Sequence, residues 1–272
     1  MITTLIIGKS SNLSQRLSEQ MDKSVLISSR EINDSLAILE PYIKKPINII
    51  FNNFQPAVAL GDVDAPVDYI SNSILVTAKL LDFFKHAVVN KIIYTSSSAV
   101  YGNNTCCKES DQVMPCGLHA ALKYANEQLV QQFCQKNSID YTITRVFNMY
   151  GGDDKFSIVS KMLEAFKQYQ SLTIFNGGMA IRDFIHIDDV VLIYLKLLKI
   201  KDINLVNVAA GKGIQIKDLL NFINGSSQIL KANNIERAEL SQSIADITLL
   251  ESRIGVFQYT NVLDFLSREM YA

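Results

Sequence analysis

No pair of the four cysteines (Cys106, Cys107, Cys116, Cys134) has C-x-x-C spacing. No metal centre is therefore expected; free thiols in a reducing compartment are. Neither sign of charge dominates: 26 Lys and Arg against 27 Asp and Glu leave a formal net charge of −1. That balance gives no electrostatic reason to expect nucleic acid or a membrane surface as partner. No apolar stretch approaches the ~20 residues that a spanning helix needs. The apolar run Leu5–Ile7 stops at Gly8, too short for a signal peptide, so a cytoplasmic location is expected. Internal repeats, low-complexity segments and linkers are also missing. What is present is 272 residues, 48% hydrophobic and 19% charged, enough for a full core in one domain or in one domain with a small lobe.

The stretch from Ile92 to Leu129 organises the rest. It reads IIYTSSSAVYG, then a polar excursion, then PCGLHAALKYANEQL. The first piece is an apolar run ending in small hydroxyl residues, the pattern of a buried parallel strand. The second has Leu118, Ala121, Leu122, Ala125 and Leu129 at helical spacing. A serine-rich strand tip followed by a helix bearing a lysine is where open α/β sheets place chemistry.

These residues resemble the extended short-chain dehydrogenase/reductases that act on nucleotide sugars. The family pattern runs S-S-x-x-V-Y-G, then P-x-x-x-Y-x-x-x-K-x-x-x-E. Ser96, Ser97, Val100, Tyr101, Gly102, Pro115, Lys123 and Glu127 fall in register with it. One position departs: His119 stands where the family has its catalytic Tyr. The resemblance implies an α/β fold, a Rossmann-type parallel sheet flanked by helices, with a small discontinuous C-terminal substrate lobe. It divides the chain into a dinucleotide-binding domain, 1–150 with 178–207, and a substrate lobe, 151–177 with 208–272.

From the N-terminus, Thr3–Ile7 is an apolar strand closing on Gly8 and followed by a helical segment. The family's G-x-x-G-x-x-G turn, which lets backbone approach a pyrophosphate at a helix N-terminus, keeps only Gly8; Ser11 and Ser14 hold the other positions. A serine at positive φ would be strained, although its hydroxyl can bond phosphate. Gly8, Ser10 and Ser11 are the expected pyrophosphate contacts. The second strand, Ser24–Ser28, leads to Arg30, where NAD-selective sites usually carry an acid. An arginine accommodates a 2′-phosphate, so NADP(H) is favoured, with NAD(H) still compatible. Between Glu31 and Pro46 there is room for one helix, and the family's usual edge strand is expected to be missing. Asn53, after the strand Ile47–Phe51, is the expected cofactor-loop residue; the later run Gly61–Asp64 is not assigned to the adenine. A helix Val67–His86 follows, in which Asn72 is a structural polar residue.

Beyond the central stretch, strand Asp140–Val146 leads into Arg145-Val146-Phe147-Asn148-Met149-Tyr150-Gly151, similar to the family's R-x-x-N-x-Y-G. Helix Phe156–Gln168, strand Leu172–Phe175 and the turn Asn176-Gly177-Gly178 come next. The segment from Arg182 to Val190, RDFIHIDDV, is close to the R-D-F-x-x-V-D-D-V motif of nucleotide-sugar enzymes. The resemblance gives Asn148, Arg182 and, one residue off the usual spacing before Asp246, Arg237 to the substrate's diphosphate, which suits a bidentate guanidinium. Asp188 and Asp189 read as helix-start acids, and His186 as a packed structural residue. Leu205–Val208 and Gln215–Ile223 complete the pattern as strand and helix.

In the family, Ser97 orients the sugar oxygen, Lys123 holds the cofactor ribose and lowers the pKa of the proton-transfer residue, and hydride passes between nicotinamide and sugar. His119 is a competent acid or base near neutrality. The favoured reaction is NADPH-dependent reduction of a keto group on a nucleoside-diphosphate 4-keto-6-deoxy sugar, with a protonated His119 as donor. A 4-epimerase uses the same parts, and a non-catalytic dinucleotide- or sugar-nucleotide-binding protein is the rival from another class. A dehydratase is set aside because Ser98-Ala99 replaces the Asp-Glu that elimination requires. A homodimer is compatible with all of these.

Overall fold

The computed structural model describes residues 2–52, 66–226, 228–256 and 258–272. Asn53 and the run Gly61–Asp64 lie outside the described residues. The first half of the chain alternates strand and helix. Its elements are β1 (Thr3–Ile7), α1 (Asn12–Glu19), β2 (Ser24–Ile27), α2 (Ser29–Asp34), β3 (Ile47–Phe51), α3 (Pro66–Ile70), α4 (Val76–Phe83), β4 (Val89–Ser97), β5 (Cys106–Cys107) and α5 (Leu118–Asn137). Then follow β6 (Asp140–Val146), β7 (Asn148–Tyr150), α6 (Ile158–Lys167), β8 (Leu172–Phe175), β9 (Ile181–His186), α7 (Ile187–Leu197), β10 (Leu205–Val208), β11 (Gly213–Gln215), α8 (Ile216–Asn224), β12 (Ala232–Ile235), β13 (Gln242–Ala245), α9 (Thr248–Ile254) and α10 (Val262–Glu269).

The described chain forms two compact units, one of Met1–Gly102, Val113–Arg145 and Ile193–Val206, the other of Asn103–Gln112, Val146–Leu192 and Asn207–Ala272. This differs from the expected division, which assigned 178–192 to the first. The reason is strand pairing: β9 bonds to β7, β11 and β13, all in the second unit. The short excursion carrying β5 joins the same unit because β5 pairs with β13.

The first unit is built on a six-stranded sheet of order β10-β6-β4-β3-β1-β2. The pairings from β2 through β1 and β3 to β4 are parallel. Every residue of β1 and β3 is buried, as in a parallel sheet with both faces covered by helices, and the strands are mostly apolar, with Thr3, Thr4 and Asn48 as their buried polar members. Leu5, Ile7, Ile49, Phe51, Ile92 and Tyr94 join Leu80, Val130 and Cys134 of the helices in one core. β2 is the sheet edge, and residues 28–46 hold only α2 and a 3-10 stretch, Leu36–Tyr42. The expected loss of the family's edge strand is therefore seen. The expected helix over 67–86 is present from Pro66 to Phe83, and its turn at Ser71–Leu75, between α3 and α4, is a π turn.

The second unit has a smaller sheet, β11-β9-β13-β5, with β7 on β9, and a two-stranded pair β12-β8. Phe184, Leu219, Phe265 and Leu266 pack with Met162 and Phe166 of α6 to form its core.

Candidate active site

Parallel strands put their C-terminal ends at one edge of the sheet. Gly8 follows β1, Ser28 to Arg30 follow β2, Asn52 follows β3, and Ser97 ends β4. Gly8 adopts φ 107°, a left-handed conformation suited to glycine, and its N–H donates to Ile27 O at 2.8 Å. Ser11 does not need that freedom. It lies at φ −71°, ψ 135° as the residue before α1, so the anticipated strain of serine in the glycine motif is not found. Asn52, fully buried, donates Nδ2 to Ser11 Oγ at 3.2 Å and to Ser14 Oγ at 2.9 Å. The two hydroxyls that replace glycines are thus held by one amide from the neighbouring strand. Ser11 places no side-chain cap on α1, and a helix start of this kind is a position at which an anion can be met. Arg30 lies exposed in the first turn of α2, where Ser28 and Glu31 form a reciprocal capping box.

Ser97 accepts the N–H of Ala99 at 3.2 Å, so its own proton remains for a second partner. Lys123, 5% exposed, donates from Nζ to Thr95 O at 2.8 Å, tying α5 to the tip of β4. Burial pulls its pKa down to about 8, and nearby Glu127 resists that fall. His119 stands one turn earlier on α5 and is half-buried. Burial first, and the charge of Lys123 second, push its pKa down to about 4. The imidazole is therefore neutral at pH 7, and the protonated donor expected from the sequence is not the resting form. Beneath this pair, Thr95 and Thr144 both bond the hydroxyl of the buried Tyr194, at 2.8 and 2.6 Å.

In the second unit Arg182 projects from β9, its Nη2 donating to Glu239 Oε2 at 3.3 Å and its Nη1 to Ile181 O at 2.9 Å. Burial lowers its pKa, and Glu239 opposes the shift. Arg237 follows β12 with its guanidinium 3.3 Å from the Phe175 ring centroid. Asn148 on β7 donates to Asp183 O at 2.9 Å, which brings it beside Arg182 on the paired strand. Asp188 and Asp189 lie in the first turn of α7, as expected of helix-start acids, and Asp189 also accepts from the N–H of Thr260 at 2.8 Å. His186 is packed against Tyr150 and Phe265, with ring centroids 5.2 Å away in both cases.

Three features escaped the sequence reading. Glu127 matched a motif but was given no role; its spacing of four from Lys123 was the available signal. The partnership of Asn52 with Ser11 and Ser14 needed strand order, which the sequence does not state. Glu239 as the carboxylate on Arg182 had no signal at all.

With the geometry in place, the family follows. The profile of the NAD dependent epimerase/dehydratase family matches residues 14–209, and the chain belongs to that family. Among individual relatives, the protein CapI of Staphylococcus aureus is 28% identical over 163 residues, 58% of this chain and 48% of that protein. A UDP-glucuronate 4-epimerase of Thermodesulfobacterium geofontis is 26% identical over 196 residues, 69% of this chain and 60% of that one. The chain thus spans about half to three fifths of the length of these curated relatives. The solved structure of a UDP-glucuronic acid 4-epimerase from Bacillus cereus, in complex with UDP-glucuronic acid and NAD, superposes with a TM-score of 0.88 at 20% identity. That match covers 99% of this chain and 98% of the other, and is a likeness of fold.

Proposed function

We propose that this chain is a 4-epimerase of a nucleoside-diphosphate sugar, working with NAD. The observation that carries the reading is His119, half-buried one turn before Lys123 and therefore neutral at pH 7. A neutral imidazole begins as a proton acceptor, which is what oxidation of a sugar hydroxyl requires. Keto reduction, the reaction favoured from sequence, would need the protonated form at the outset. Arg30 suits a 2′-phosphate and favours NADP; the B. cereus structure of the same fold was solved with NAD, which supports the other choice.

The residues present fit a dinucleotide. Gly8 at positive φ and the start of α1, where Ser11 makes no side-chain cap, suit a pyrophosphate, and Lys123 suits the nicotinamide ribose. Bound there, NAD would accept a hydride from the sugar and give it back. The chain's own residues do the rest. Ser97 donates to the sugar oxygen, His119 takes the hydroxyl proton and later returns it, and the Lys123 charge favours the alkoxide character that develops as the proton leaves. Asn148, Arg182 and Arg237 are the diphosphate partners we assign in the second unit; in them a guanidinium can make two parallel bonds to phosphate oxygens.

The test is to incubate purified protein with UDP-glucose and with UDP-glucuronate and resolve the products by NMR. Appearance of the C4 epimer supports the reading. NADPH-dependent reduction of a keto-sugar nucleotide with no epimer would replace it with the reductase, and ligand binding without turnover would replace it with the non-catalytic protein.

A further inference from the structure

Glu127 has no part in the chemistry above, yet it sits where α5, β4 and β6 meet. Its Oε1 accepts from Ser96 Oγ at 2.5 Å and from Arg145 Nε at 3.1 Å, and its Oε2 accepts from Arg145 Nη2 at 2.8 Å. Ser96 and Glu127 are 1% exposed and Arg145 4%. A buried ion pair is weak evidence for stability, since desolvation offsets most of its attraction. Position is what this one supplies. Ser96 directly precedes Ser97 on the β4 tip, and Lys123 is one helical turn before Glu127. Lys123 in turn bonds the carbonyl of Thr95 on that same tip.

We propose that Glu127 is a positioning residue for Ser97 and Lys123. It anchors the strand tip through Ser96 and keeps the Lys123 ammonium charged, while Arg145 fixes the carboxylate from β6. The inference rests on the assignment of Ser97 and Lys123 to the proton chemistry. Burial alone depresses the Lys123 pKa, and Glu127 is the group that works against it. Thr95 O, which accepts from Nζ at 2.8 Å, also favours the ammonium but carries no charge. His119 on the preceding turn is repelled by the ammonium, and the Tyr94 ring of β4, 5.4 Å from Nζ, carries a phenol pushed well above its ordinary pKa by burial and then by Glu127. Ser73 of the π turn meets α5 through Asn126 and is uncharged.

The test is an NMR titration of the lysine side chains in the full chain, with Lys123→Arg to identify the resonance. It needs no turnover. In Glu127→Gln the Lys123 pKa is expected to fall by about one unit or more, the size of losing an opposite charge a helical turn away. Where turnover is measurable, the alkaline limb of kcat moves down with it, a change that a purely structural tie would not produce. Because Glu127→Gln strands the Arg145 charge, the double variant Glu127→Gln/Arg145→Met replaces the whole pair with neutral groups, which buried sites tolerate. A smaller fall in the same direction is expected there, because the more distant guanidinium goes with the carboxylate. Lys123 titrating as in the parent, in either folded variant, overturns the proposal. If the parent turns over no nucleotide sugar, the proposed function fails, but the titration still decides the role of Glu127.

Discussion

His119 holds the position at which the family motif carries tyrosine, and its surroundings set which direction of proton transfer it can begin. With a pKa near about 4 it is a base across the neutral range. Lys123, near about 8, is charged over the same range. If the neutral imidazole and the charged ammonium are the working forms, the rate falls as pH drops toward 4 and again as pH rises through 8. A donor role would put the acid form to work and reverse the first limb. We expect His119→Ala and His119→Phe to lose about 10²–10⁴-fold in kcat, and His119→Tyr to retain activity with a displaced acidic limb. A pH profile unchanged by His119→Ala would remove the proton-transfer role. Ser11 gives a second expectation at this scale. Its backbone is extended rather than left-handed, and its Oγ receives Asn52. Restoring the family's glycine therefore relieves no strain; Ser11→Gly should cost about 1–2 kcal/mol in chemical denaturation, from a lost hydrogen bond and a more flexible unfolded chain. A stability gain would show that strain was present after all.

Among the elements, β9 carries the most connections in the second unit. Asp183, fully buried, accepts the N–H groups of Ala210 and Gly211 at 3.0 Å each and of Ala245 at 3.2 Å, joining two loop amides and β13 to this strand. Asp183→Ala leaves all three amides short of a partner and should destabilise the chain by roughly 3 kcal/mol or more, read from the denaturation midpoint. A loss within ~0.5 kcal/mol would mean that water replaces the carboxylate. The strand and helix pattern was legible in the sequence because apolar runs and helical spacings are local: β6, β8 and β10 fall where the spacing puts them. The pairing of β9 with β13 was not, because residues sixty apart carry no mark of register, and this is why segment 178–192 lies in the second unit. Cofactor choice belongs to the β2–α2 junction. Arg30 is exposed there, so a 2′-phosphate contact would be a charge-assisted bond worth roughly 1–3 kcal/mol. With NAD as cofactor, calorimetry should give NADH at least the affinity of NADPH, and Arg30→Ala should leave the NADH value unchanged. A tenfold preference for NADPH that Arg30→Ala abolishes would reassign the cofactor.

For the molecule as a whole, the sequence motifs identified the family and the residues at the strand tips, whereas the protonation state on which the proposed direction rests depends on burial, which a motif does not encode. His119 and Lys123 are visible as letters; that both are withdrawn from water, and that the Lys123 charge further lowers the His119 pKa, is a property of the fold. The two reactions differ in their redox balance. Reduction consumes one NADPH per sugar. Epimerisation is redox-neutral, because the hydride taken from C4 goes back to C4 on the opposite face. A sugar nucleotide deuterated at C4 should therefore keep its label in the epimer, with no net change in absorbance from the nicotinamide and no requirement for added reductant. The deuterium should also slow turnover if hydride transfer limits the rate. Loss of the label to bulk cofactor, or stoichiometric oxidation of NADPH, would show that the hydride leaves the site between the two half-reactions, and the chain would then be an oxidoreductase built on an epimerase frame.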